Sequence, residues 1–276
     1  MVRVGTCAWA DHQDFYPPGT RPGDRLAYYA RFFDLVEIDS TYYAPPDPQR
    51  VRLWAKAVPR DFVFNMKAHR GVTGHIRQGM APDEAALALG RQKEALAILR
   101  GEGKLGAFLL QFPPWVKADA QGKDVVERAL DLFPDTLAAV EFRHRSWFTG
   151  QVADETLGFL GRRGAVHVIA DEPQGFEASV PLLPVVTSPR LAVVRLHGRN
   201  RATWLKPGLT SSQDRFDYLY DQEELAGIAE LAATLTPQAA EVHLLTNNNR
   251  ANYAVKNALE LRSLVLCGSL PPATLF

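Results

Sequence analysis

The chain has 276 residues, with 31 basic and 31 acidic side chains and so no formal net charge. Its 46 % hydrophobic and 22 % charged residues are ordinary globular composition, which excludes a disordered, collagen-like or polycationic chain. No run of about 18 apolar residues occurs and no apolar signal stretch opens the chain, so the expectation is a cytoplasmic protein without a membrane span.

Eight apolar or β-branched runs bounded by turn residues predict strands over 2–8, 35–41, 62–68, 106–112, 137–143, 165–171, 191–197 and 241–247. Helical patterns fall between most of them. Leu26, Tyr29, Ala30 and Phe33 share a face in 24–34. Asp47-Pro48 is a cap followed by proline at the first helical position, opening a helix that carries Val51, Leu53, Trp54 and Val58. Further helices are predicted over about 83–100, 124–133, 152–163, 221–234 and 253–266. Segment 172–190 holds Pro173, Pro181, Pro184 and Pro189 and has no 3.6-residue period, so it reads as an irregular sixth crossover. Strand and helix alternating about eight times predict one (β/α)8 barrel filling 1–276 as a single domain. A doubly wound open sheet also alternates, but it needs a glycine-rich turn after the first strand, and Thr6-Cys7-Ala8-Trp9 offers none. Cys7 and Cys267 match no disulfide framework or zinc motif and read as free thiols.

Near their C-terminal ends the strands alternate. Val36, Ile38, Phe64, Met66, Phe108, Leu110, Val140, Phe142, Val168, Ala170, Val194, Leu196, Val242 and Leu244 take one parity. Glu37, Asp39, Asn65, Lys67, Gln111, Glu141, Arg143, Asp171, Arg195, His197 and Asn247 take the other. In a barrel the polar set is expected inside the C-terminal mouth, where such barrels build their sites. A buried ion-pair network that fixes register is the bland alternative.

The predicted loops add rings and charge. Trp9, Trp115, Trp147 and Trp204 fall in or beside them, with Phe15, Tyr16, Tyr42, Tyr43, Phe148 and Tyr253, an arrangement suited to stacking sugars or bases. The same loops carry His69, Arg70, His75, Arg77, His144, Arg145, Arg199, Arg201, Lys206 and Arg250, which favour an anionic ligand. Glu37, Glu141, Asp171 and His197 could ligate a divalent ion, but Lys67, Arg143 and Arg195 share their lumen and would repel it. No metal and no cofactor is therefore expected. Gln111 and Arg195 stand where common barrel glycosidases carry glutamates. No nucleophile elbow, Walker sequence or dinucleotide fingerprint occurs.

Five stretches resemble the YecE-like family, known as domain of unknown function 72: Val36-Glu37-Ile38-Asp39-Ser40-Thr41-Tyr42-Tyr43, Phe62-Val63-Phe64-Asn65-Met66-Lys67, Glu141-Phe142-Arg143-His144-Arg145-Ser146-Trp147, Arg195-Leu196-His197-Gly198-Arg199 and Asn247-Asn248-Asn249. Val4-Gly5-Thr6 with Trp9, Phe15-Tyr16-Pro17 and Leu26-Ala27-Tyr28-Tyr29 are similar to it as well. The resemblance implies a TIM-type barrel and no particular activity. The family usually has Asn where this chain has Asp39, and Phe before the paired Asn where this chain has Thr246 or Asn247.

These readings converge on a polar, aromatic-rimmed mouth for a small anionic or phosphorylated ligand. If the chain is an enzyme, phosphoester hydrolysis or sugar-type acid–base chemistry is the expected class. Glu141 is then the acid–base candidate, with Asp171 or Glu37 opposite it, and Lys67 stabilises developing charge. Arg143, Arg195 and Arg199 are expected to hold the anion. His144, Trp147, His197, Gln111, Asn247, Asn248 and Trp204 complete the expected ligand site. The rival expectation is a non-catalytic nucleic-acid-binding protein using the same face.

Overall fold

The computed structural model describes residues 1–209 and 211–268. Its eight strands are β1 (Val2–Cys7), β2 (Leu35–Ile38), β3 (Val63–Lys67), β4 (Leu105–Gln111), β5 (Ala138–Glu141), β6 (Val166–Asp171), β7 (Leu191–Leu196) and β8 (Glu241–Thr246). They pair in parallel in chain order, and β8 closes on β1. The crossovers are α1 (Arg25–Tyr29), α2 (Pro48–Ala57), α3 (Pro82–Gly101), α4 (Ala120–Asp131), α5 (Gln151–Arg162), α6 (Gln222–Leu235) and α7 (Tyr253–Cys267). Between β6 and β7 the chain runs without a helix, as the four prolines predict. No helix among the described residues is long and apolar enough to cross a membrane.

Asp47 caps α2 as expected, its side chain accepting from Gln49 N at 2.7 Å. α1, β2 and β5 are shorter than predicted by three or more residues, β5 covering only Ala138–Glu141. α1 ends at Tyr29, and β2 stops at Ile38, after which Asp39–Tyr42 coil into a 3-10 turn. That turn is anchored by the Thr41 hydroxyl, which bonds the carbonyls of Ile38 (2.8 Å) and Lys67 (2.5 Å). It therefore ties the β2 loop to the end of β3.

Two apolar layers hold the barrel. Val36, Ile38, Phe64, Met66, Phe108, Leu110, Val140, Val194 and Leu196 face the helices. Leu35, Ala107, Leu109, Ala139, Val166, Val168, Leu191, Val193 and Leu245 fill the lower lumen. A register shift between Phe64 and Met66 leaves Asn65 beside β4, where its Oδ1 accepts from Ala107 N at 3.0 Å. Asn65 is thus a ladder-mending group rather than part of the mouth.

On β6 the register corrects the expected parity. Ala170 pairs with Arg195 and Asp171 with Leu196. Paired residues share a face, so Val166, Val168 and Ala170 point into the lumen and Asp171 points out with Leu196. The next lumen-facing position is Glu172, whose side chain is fully enclosed.

Candidate ligand-binding site at the barrel mouth

The lumen-facing ends of the strands bring a charged cluster together. Its centre is Glu141, at the end of β5 and wholly buried. One carboxylate oxygen accepts from Arg143 Nε at 2.5 Å, and the other from Arg195 Nη1 at 2.5 Å. Arg195, also 0 % exposed, donates its Nη2 to Glu37 Oε1 at 2.6 Å and lies 3.5 Å from Gln111 Oε1 through Nη1. Burial pushes the Glu141 carboxyl up, but Arg143, Arg195 and His197 together outweigh it and hold the group well below the usual carboxylate range. Glu37 faces only one guanidinium closely, and burial raises its pKa. Arg195 thus neutralises two acids beneath the mouth, at a position no solvent reaches.

Arg143 rises from this floor into the cavity. Its Nη1 donates to Glu172 Oε2 at 2.8 Å, its Nη2 lies 3.0 Å from His197 Nε2, and its guanidinium sits 5.4 Å from the Trp204 ring centre. His197 is buried between Arg143, Glu141 (3.3 Å) and Asn247 Nδ2 (2.9 Å). Burial first, then Arg143, lower its pKa to about 3, so the ring is neutral at physiological pH.

Above the floor opens a cavity of about 510 Å³, within the range of small-molecule sites. Strand ends supply Lys67, Gln111, Arg143 and Asn247, and the β2 loop gives Asp39, Tyr42 and Tyr43. The long β7 loop brings Trp204, Lys206, Arg215 and Phe216. Lys67 pairs with Asp39 at 2.7 Å and lies 4.9 Å from the Tyr42 ring centre. Among the described residues, Asp39 is the one carboxylate that lines this cavity, against four cations. Asp214, the neighbour of Arg215, is occupied by Arg250 at 2.8 Å, and Arg215 forms no ion pair with a described carboxylate. Burial and the nearby Arg143 lower the pKa of Arg215.

The structure therefore gathers Glu37, Lys67, Gln111, Glu141, Arg143, Arg195, His197, Asn247 and Trp204 at the mouth or its floor. It sends the other predicted site residues elsewhere. Asp171 accepts from Arg199 (2.6 Å) and the Tyr220 hydroxyl (2.8 Å) on the outer side of β6, and Arg199 also pairs with Glu224 at 2.9 Å. His144 caps the turn at 145–148 by accepting from Ser146 N. Trp147 stacks on Phe142 with ring centres 4.1 Å apart and donates to Val116 O, outside the barrel wall. Asn248 bonds Tyr218 O and Asn257 Oδ1. Of the ten predicted loop aromatics only Tyr42, Tyr43 and Trp204 line the cavity. Trp9 packs on Trp54, and Phe15 and Tyr16 pack on Tyr28.

Two residues of the cluster escaped sequence reading. Glu172 lay in the segment set aside as irregular, and only the β6 register distinguishes it from Asp171. Arg215 is fifteen or more residues beyond β7 and carries no local signal. It reaches the mouth because the β7 loop folds back, with Thr203 Oγ1 donating to Arg215 O at 3.2 Å.

Residues 3–272 match the family model described as protein of unknown function DUF72. The UPF0759 protein YunF of Bacillus subtilis is 33 % identical over 267 residues, covering 96 % of this chain and 95 % of that one. A crystal structure of a DUF72 family protein from Enterococcus faecalis superposes with a TM-score of 0.86 at 31 % identity, covering 96 % and 95 % of the two chains. One from Thermotoga maritima gives 0.82 at 30 % identity, covering 96 % and 99 %. With fold, motifs and sequence agreeing along nearly its whole length, the chain belongs to the DUF72 family.

Proposed function

We propose that the mouth of the barrel binds a small anionic ligand of the phosphate or sugar-phosphate kind. The observation that carries this reading is Arg215, a partly buried guanidinium with no ion-pairing carboxylate among the described residues, lining the same cavity as Arg143 and Lys206. A guanidinium withdrawn from water without a counter-ion is costly, and an anion between it and Arg143 offsets that cost. Tyr42, Tyr43, Trp204 and Phe216 offer ring faces to the ligand's uncharged part, and Gln111 and Asn247 offer amides to its hydroxyls.

Glu141 supports the site from beneath. Held ionised by two guanidinium groups, it is suited to positioning Arg143 rather than to passing a proton. An acid–base step at this mouth would fall to Asp39 and Lys67, the ion pair that lines the cavity.

Titration calorimetry with inorganic phosphate, a hexose phosphate and the free hexose tests the reading. Both phosphates are expected to bind, the free hexose far more weakly, and Arg215→Gln to lose about tenfold in phosphate affinity at an unchanged melting temperature. Absence of phosphate binding at millimolar concentration overturns it. A single-stranded oligonucleotide that binds far better than any small phosphate, with steep salt dependence, would favour the nucleic-acid reading instead.

A further inference from the structure

Glu172 is a buried acid for which the anion reading alone has no use. It does not line the cavity, yet it holds the residue that does. Its Oε1 accepts from Val180 N at 2.7 Å and its Oε2 from Arg143 Nη1 at 2.8 Å, and its side chain is 0 % exposed. The Arg143 guanidinium is thus divided between Glu141, Glu172 and the cavity. Glu172 and an anion in the mouth compete for one group from two sides.

Charge counting gives the competition a consequence. Lys67, Arg143, Arg195, Lys206 and Arg215 are five cations at the mouth and floor; Glu37, Asp39, Glu141 and Glu172 are four acids. With every acid ionised the excess is one positive charge. A proton on Glu172 makes it two, the charge that a sulfate or phosphomonoester dianion brings.

We propose that the mouth takes a dianion and that binding loads one proton onto Glu172, which releases Arg143 to the ligand. The proposal rests on the anion reading of the mouth and deepens it. Burial raises the Glu172 pKa to about 7, against the opposing pull of Arg143 and the Val180 N–H, so the proton is available from neutral solution. The titratable and charged groups acting on Glu172 are Arg143 and Glu141 from β5 and its loop and Asp171 beside it, and His197, just after β7, touches Arg143 Nη2 at 3.0 Å. The crossover contributes Val180 N and Gln174, whose Nε2 donates to the Glu172 carbonyl at 2.9 Å. Glu141 is held ionised, Asp171 is engaged by Arg199, and His197 is neutral down to about pH 3. His75, near enough to feel Arg143, is neutral down to about pH 4. None of these accounts for a proton taken up between pH 6 and 8.

Sulfate is the probe, because it remains a dianion across this range and adds no titration of its own. Wild-type affinity for sulfate is expected to fall about tenfold from pH 6 to pH 8. At pH 7, calorimetry in two buffers of different ionisation heat should count about half a proton taken up per sulfate bound. Glu172→Gln imitates the protonated acid. It is expected to bind at the wild-type pH 6 level throughout, with no uptake. If sulfate fails to bind wild type at any pH, the anion reading itself falls. If it binds with neither pH dependence nor proton uptake, the reading stands and the Glu172 proposal is overturned. If Glu172→Gln keeps the wild-type slope, the proton goes to another acid, such as Glu37, and the proposal is equally overturned. Should that variant not fold, Glu37→Gln decides: a wild-type slope and proton count in it support Glu172 as the acid that takes the proton, and loss of both overturns the proposal.

Discussion

Ala170 lies opposite Arg195 in the β6–β7 register, and this pairing decides which β6 carboxyl reaches the lumen. It turns Asp171 outward, into the hands of Arg199 and Tyr220, and leaves Glu172 to meet Arg143. Adjacent acids in sequence thereby acquire unrelated roles. Asp171→Asn tests the division. It should cost about 1–3 kcal/mol in urea unfolding, because Arg199 and Tyr220 lose a charged partner, yet leave sulfate affinity within about twofold. A loss of affinity equal to that of Arg215→Gln would place Asp171 at the mouth after all.

Arg195→Met should be among the most damaging single changes to the fold. It strips the guanidinium from Glu37 and leaves Glu141 with Arg143 alone, in a region closed to water. Removing one partner of a buried ion pair costs about 3–5 kcal/mol, which urea denaturation would register directly. Arg195 lies beneath the cavity wall but counts toward the positive excess of the mouth, so any folded fraction of the variant should bind sulfate more weakly than wild type. Wild-type stability in the variant would mean that the floor network carries no structural weight.

How much of this was legible in the sequence follows from what each signal measures. Strand count, helix count and the missing sixth helix depend on local periodicity and proline, and these were readable. The inward set on β2, β3, β4, β5 and β7 was readable too, because apolar and polar residues alternate there as far as Glu37, Lys67, Gln111, Glu141 and Arg195. On β6, Val166-His167-Val168-Ile169-Ala170-Asp171 is buried on both faces and the outer one carries His167 and Asp171, so the parity taken from Asp171 was wrong. Only hydrogen-bond register, a non-local property, could set it. The loops were least legible. Arg199 and Trp147 look like ligand groups in sequence, but a local carboxylate and a local ring claim them first.

Gly198, directly after His197, is a position where any side chain should be disruptive. Its φ is +81°, a region that favours glycine, and a Cβ there would stand 2.6 Å from Tyr218 Cβ. Its N–H also donates to the Tyr220 hydroxyl at 2.8 Å, which fixes the start of the loop that carries Trp204 and Arg215. Gly198→Ala should lower stability by about 1–3 kcal/mol and weaken sulfate binding together, measured by melting and by calorimetry on the same sample. Stability lost with affinity intact would show that the β7 loop holds its place without this turn.

The protein should lose stability as pH falls below neutrality, and its histidines dominate the effect. All seven are depressed, each with burial as the leading cause. His12, His75 and His167 fall to about 4 and His197 to about 3. The unfolded chain protonates these rings near pH 6.5, while the folded chain refuses the proton until pH 4 or below. Their contribution is therefore complete above about pH 6.5 and is lost as pH falls toward 4. Glu172 acts in the opposite sense: folded, it keeps its proton up to about pH 7, whereas unfolded it gives it up near 4.5. Near pH 5.5 the four rings thus count nearly four protons for the unfolded state and Glu172 counts one for the folded state. The net of about three corresponds to roughly 4 kcal/mol lost per pH unit. Urea midpoints measured at pH 7.0, 6.0 and 5.0 should fall steadily, and His167→Gln should make the slope shallower by about one proton. Midpoints that stay level from pH 7 to pH 5 would mean that these rings accept protons in the folded state, and the buried, neutral His197 beside Arg143 would have to be abandoned with them.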